Sequence, residues 1–129
     1  MALLKIYGGQ ALQIALNEII SPVQVTYQAL EVPEPDTIAA LEDLRGLTPQ
    51  LFFTVAPAPP EAAADRVTVQ SPSSQELVFL GPPVGTELAA LVSAIVVAGR
   101  GASGLSGETQ AALAALEQPV HLEVFTTPT

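Results

Sequence analysis

Apolar positions change their spacing repeatedly along this chain, and each change marks an element. From Gln10 to Ile20, the residues Leu12, Ile14, Leu16, Ile19 and Ile20 form a mostly helical stripe. Ser21-Pro22 ends it, because a proline pushes the residue before it out of helical backbone. Val23, Val25 and Tyr27 then alternate as a strand. Residues 31–35, "EVPEP", make an extended connection, after which Asp36 is the expected N-cap of a helix carrying Ile38, Leu41, Leu44 and Leu47, closed by Gly46 and Pro49. Leu51 to Val55 is apolar on both faces and predicts a strand. A Pro- and Ala-rich loop follows, too short to be a domain linker. Val67 to Val69 and Leu77 to Phe79 flank a polar turn and predict a hairpin. "LGPPVG" interrupts the pattern. Gly85 to Ala98 predicts a strongly apolar helix with Glu87 in its first turn, and Gly99 to Gly107 a glycine-rich loop. Ser106 is the expected cap of a last helix, Glu108 to Glu117. Beyond Pro119, Val120, Leu122 and Val124 alternate with His121, Glu123 and Phe125, which predicts a terminal strand with Thr126 and Thr127 extending it.

Two strands joined through a helix, then a hairpin, then a packing helix, predict an α/β fold with a mixed sheet. This βαββα order is the pattern of a thioredoxin-like fold, here with an extra leading helix and a trailing helix and strand. A weak internal repeat sharpens it: a helix leads into Pro22-Val23, and another helix leads into Pro119-Val120. Residues 1–105 are thus expected to form one module, and residues 106–129 to supply the leading helix and first strand of a second, incomplete one. A first strand in this fold is an inner strand, so Val120 to Phe125 is expected to pair with an open edge, Leu51 to Val55 or Leu77 to Leu80. The edge belongs either to its own module or to a second copy in a homodimer.

Composition narrows the chemistry. Four Lys and Arg stand against thirteen Asp and Glu, a net charge of −9. That balance argues against nucleic acid or an anionic membrane as partner, since both are held by clustered cations. The longest apolar stretch, Leu88 to Ala98, is shorter than the ~20 residues a bilayer-spanning helix needs, and no signal-peptide pattern opens the chain; a cytoplasmic location is expected. There is no cysteine, which excludes disulfides and thiol chemistry within these residues. A single histidine and scattered carboxylates predict no metal site. His121 stands alone on its strand, without a second histidine to build a triad around. "GRGASGLSG" follows a helix rather than a strand and lacks the Lys-Ser/Thr ending of a phosphate-binding loop, so it reads as a plain loop. Glu31 with Glu34, and Glu42 with Asp43, read as solvated faces.

Two stretches carry a likeness to a known family. "VFLGPPVGTEL", with Phe79, Gly81, Pro83, Gly85 and Glu87, resembles the signature F-x-G-x-P-x-G-x-E in the amino-terminal region of alkyl hydroperoxide reductase flavoprotein subunits and related two-module, glutaredoxin-like protein disulfide oxidoreductases. "LEVFTTPT" resembles the strand that leads into that family's Cys-x-x-Cys. The middle of the chain, around Pro57 to Arg66, departs from the pattern. The resemblance implies that this is the first of two thioredoxin-like modules plus the start of the second, stopping before the dithiol. It implies as partners the second module and a flavoprotein domain or peroxidase, with FAD and NADH or NADPH used in other domains of the parent, while this chain itself holds no cofactor.

Whether the first module has chemistry of its own can be argued from residues. Dithiol exchange needs a thiolate and a resolving cysteine. The repeat maps the two cysteine slots onto Pro33 and Asp36, neither of which can attack a disulfide. Where thioredoxin-like folds carry a cis-proline before the third strand, this chain has Asp65, for which a trans peptide is expected because a non-proline cis bond costs ~3 kcal/mol. The module is thus expected to be redox-silent and no enzyme by itself. Its role would be scaffold and docking surface for a disulfide reductase in peroxide detoxification; the alternative is a free-standing, non-redox, protein-binding module. No catalytic residue is assigned. Glu87 is the candidate modulator of a thiol in the parent, because the family's matching acid lies near the second module's dithiol; its plainer role is to complement the positive end of its helix.

Overall fold

The computed structural model describes residues 9–72 and 74–126. The elements are α1 (Gly9–Leu16), β1 (Val23–Ala29), α2 (Pro35–Leu47), β2 (Leu51–Pro57), β3 (Arg66–Ser71), β4 (Ser74–Leu80), α3 (Glu87–Arg100) and α4 (Gly107–Ala114). The expected α/β order is present, and the four strands form one mixed sheet, ordered β2-β1-β3-β4. β1 runs parallel to β2, which requires the crossover that α2 supplies. β3 is antiparallel to both β1 and β4. The two edges are the expected ones, β2 and β4.

Alternation along β1 and β3 decides which face is covered. Val23, Val25, Tyr27, Ala29, Val67 and Val69 are buried and join one cluster with Leu12 and Leu16 of α1, Ala40, Leu41 and Leu44 of α2, and Leu88, Leu91, Val92, Ile95 and Val96 of α3. On α3 the buried set recurs every three or four residues, the spacing of a helix face. Each fully buried Leu there contributes roughly 1.5–3 kcal/mol. The opposite face is uncovered. Gln24 and Gln70 lie open there, with Thr26, Gln28 and Thr68 partly so, because the β2–β3 connection holds no helix.

Short polar contacts tie the layers. The Ser71 hydroxyl donates to the Ala98 carbonyl at 2.6 Å, and the Thr37 hydroxyl to that of Pro83 at 2.7 Å. At the far end of α3, the Gly99 carbonyl accepts from the Ile20 and Ser21 amides, both at 3.0 Å. Arg100 reaches Glu18 at 3.4 Å. Gly101 takes a left-handed φ of 73° and ends the helix.

Several expectations need correction. α1 ends at Leu16 rather than Ile20, although Ile19 still enters the core. Asp36 does not cap α2: the N-cap is Glu34, whose side chain makes no capping bond, with Pro35 at the first helical position and Asp36 in the first turn. The fixed φ of proline suits that position and shifts the start upstream. α3 runs through Gly99 and Arg100, so the glycine-rich loop begins at Gly101. Leu51 to Val55 extends to Pro57 but, as an edge, leaves Phe52 and Val55 exposed. Ser106 caps α4 as expected, its hydroxyl accepting from the Thr109 amide at 3.1 Å, yet α4 stops at Ala114.

The largest correction concerns the terminal strand. Residues 120–126 have no strand assignment and are all exposed. Pairing with an edge of its own module is therefore overturned. No residue of α4 is buried, so nothing packs the preceding helix onto the core to deliver the segment to the sheet. Thr127, expected to extend it, lies outside the described residues. No described helix is long and apolar enough to cross a membrane.

Candidate functional site

The sheet end nearest the start of α2 holds a polar knot. Tyr27 points inward from β1 and is fully buried, so its hydroxyl needs an internal partner. It donates to Asp65 Oδ2 at 2.7 Å and accepts the Glu34 amide at 3.0 Å. Asp65 Oδ1 accepts the Leu30 amide at 2.9 Å, and the Asp65 carbonyl accepts the Gly81 amide at 2.7 Å. One residue thus joins the ends of β1 and β4 to the start of β3, and through Tyr27 the start of α2. Among the described residues no peptide bond is cis, and Asp65 follows a trans bond as expected.

Pro33 and Asp36 flank this knot at the start of α2. The two cysteine slots expected from the repeat fall on Pro33, which is half-buried, and Asp36, which is exposed. The Tyr27 hydroxyl is pushed up to about 12 from its usual 10 by burial first, with the Asp65 hydrogen bond and charge adding to it and the Glu34 amide opposing. A raised phenol favours the folded, protonated form. Its contribution to stability is intact below pH 10 and is lost as pH rises towards about 12. We expect urea midpoints to fall across that window in the parent and markedly less in Tyr27→Phe. Equal slopes in the two proteins would show that Tyr27 carries no such linkage.

The five residues of the family-like stretch build the turn from β4 into α3. Phe79 packs against the core. Gly81 and Gly85 have φ of 86° and 56°, a region that side chains other than glycine's rarely enter. Between them lies Pro83, whose carbonyl takes the Thr37 hydroxyl. Glu87 opens α3 and is half-buried. Its Oε1 accepts a hydrogen bond from Thr126 Oγ1 at 2.6 Å. The structure therefore brings together two residues, 39 apart, from the two stretches that carry the resemblance. It leaves His121 far from them in role: exposed, with Nε2 at 3.0 Å from Glu123 Oε1.

The remaining features offer little chemistry. Arg100 braces the glycine-rich loop through the carbonyls of Ala102 and Ser103. Glu42 pairs with Arg45 on the solvated face of α2, and Arg45 also lies over the Phe53 ring at 4.8 Å. Two open hollows lie on the uncovered face. One, about 380 Å³, is bordered by Gln24, Phe52 and Gln70; the other, about 320 Å³, lies between Gln28, Leu80 and the alanine-rich loop. No group of three or more His, Cys, Asp or Glu among the described residues could hold a metal ion.

No family model matches the chain, and no curated protein matches it. Sequence reasoning reached Glu87 and the Asp65 position but missed Tyr27 and Thr126 as their partners. An inward-facing tyrosine on a predicted strand was the available signal for the first.

Proposed function

We propose that this chain is a redox-silent thioredoxin-like module, with residues 106–129 beginning a second one, and that it serves as scaffold and docking surface for a dithiol carried by that second module. The Thr126–Glu87 hydrogen bond carries the reading. It sets the segment that resembles the family's approach to Cys-x-x-Cys against the acid of the family-like signature. A carboxylate there is placed to raise the pKa of a thiol or to relay its proton. The strand order supports the thioredoxin-like assignment: a parallel pair joined through a helix, with an antiparallel hairpin beside it. The repeat is supported by α1 and α4, each of which leads within a few residues to a Pro-Val pair.

Silence follows from Pro33, Asp36 and the absence of cysteine. The electrons of the parent would come from a flavoprotein domain using FAD and NADH or NADPH and pass to a peroxidase. The test is to read and express what the gene encodes after Thr129. A Cys-x-x-Cys, with disulfide reductase activity in the extended protein, is the expected result. There, Glu87→Gln should move the pH profile of thiol alkylation while leaving the urea midpoint nearly unchanged. A stop codon, or an extension without a dithiol, would instead favour a free-standing binding module.

A further inference from the structure

We infer that Thr126 is a positioning residue: by donating to Glu87 it latches residues 101–126 into a strap that returns along α3, so that anything joined after it stands beside the first turn of that helix. The inference deepens the docking role proposed above, on which the use of the strap rests. Its geometry concerns this chain alone.

The path of the chain carries the argument. Gly101 leaves the carboxyl end of α3, yet Thr126 Oγ1 meets Glu87 Oε1, on the first residue of the same helix, at 2.6 Å. α3 is 14 residues long, roughly 20 Å at a rise of about 1.5 Å per residue. The residues between must run back by that distance. All of residues 101–126 are exposed and no residue of α4 is buried, so packing onto the core does not dictate the return. A flexible tether of this length would instead scatter its end over roughly 25 Å around Gly101, taking ~5 Å times the square root of the residue number.

Two features let a single side-chain bond suffice. The root of the strap is stiff: Arg100 donates to the carbonyls of Ala102 at 2.7 Å and Ser103 at 3.2 Å, and the Ser103 hydroxyl accepts the Leu105 amide at 3.1 Å. α4 follows at once, capped by Ser106 and tied back by Gln110 Nε2 to the Leu105 carbonyl at 2.8 Å. Less freedom then remains for the latch to remove. The latch itself is a hydroxyl donating to a carboxylate, a short and strong kind of hydrogen bond. Its acceptor is half-buried on a helix packed into the core, so it offers a stationary target. With the latch closed, a residue 130 would stand no further than ~14 Å from Thr126, four residues at about 3.3–3.6 Å each. Such a residue is kept to the Glu87 end of α3; with the latch open, the Gly101 end is as accessible.

The sequence has no cysteine, so a nitroxide on Glu123→Cys reports from one place, within ~11 Å of Thr126 along the chain. In the 129-residue chain it should broaden the amide signals of Leu88 and Ala89 more than those of Ala98 and Gly99. Thr126→Val in the labelled chain should reverse that order, because a strap without its latch hangs from Gly101. Thr126→Ser keeps the hydroxyl and should restore the original order, and Glu87→Ala should behave as Thr126→Val. Stronger broadening at Ala98 and Gly99 before any change at Thr126, a pattern that Thr126→Val leaves unaltered, or a failure of Thr126→Ser to restore it would each overturn the inference. A stop codon after Thr129 would remove the docking role and leave these results standing.

Discussion

Replacing Asp65 with alanine should cost about 3 kcal/mol of stability, more than its half-buried position suggests. The substitution leaves the Tyr27 hydroxyl, 0% exposed as a residue, without its acceptor. It also frees the Leu30 amide, but that residue is exposed and water can replace the carboxylate there. The cost is therefore dominated by the tyrosine. Asp65→Asn keeps one acceptor oxygen and should fall between parent and alanine. A double-mutant cycle with Tyr27→Phe should give a coupling of about 1 kcal/mol or more, because the two groups act on each other directly. Urea unfolding of the four proteins measures it. A loss below about 0.5 kcal/mol for Asp65→Ala, the usual range for surface changes, would mean that the knot is ornamental.

Gly99 and Gly46 should respond to alanine in opposite directions. Both sit in helices, where replacing glycine by alanine ordinarily gains about 1 kcal/mol. At Gly46 an added Cβ meets nothing within 4 Å, so the full gain is expected. At Gly99 the same atom would lie 2.5 Å from Ile19 Cγ2 and 2.9 Å from Val23 Cγ2. Those methyls belong to buried, β-branched side chains with little freedom to rotate away. Moving α3 outward instead would stretch the two amide bonds to the Gly99 carbonyl. We expect a net loss of about 1–3 kcal/mol, the usual range for overpacking. Thermal unfolding of the two variants side by side checks the sign; a stabilised Gly99→Ala would show that the connection from α1 to β1 yields easily.

Much of the body was legible because its periodicities are long or clean. β1, the hairpin of β3 and β4, and α3 each announce themselves by spacing, and an edge assignment for β2 and β4 follows from the predicted order. What failed was local or unsupported. Asp36 has the side chain of a cap, but Pro35 takes the first helical position and fixes the start two residues earlier. The terminal alternation is a genuine strand pattern, yet pattern says only which face would be buried, and among the described residues nothing covers it. The site was half-legible for a different reason. Glu87 could be seen in its motif and Asp65 at its position before β3, but their partners lie 39 and 38 residues away. Pairings at that distance are set by how the sheet brings chain ends together, which no local window contains.

The uncovered face of the sheet has a consequence for how this sequence can drift. Thr54, Thr26 and Thr68 stand level across β2, β1 and β3, and β-branched side chains with a hydroxyl suit a pleated surface that stays wet. Selection against loss of packing acts on the other face, at Val23, Val25, Tyr27, Val67 and Val69. Among descendants of this chain, acceptable substitutions along the two central strands should therefore fall at every second residue: a rhythm of change and constancy that matches the pleat.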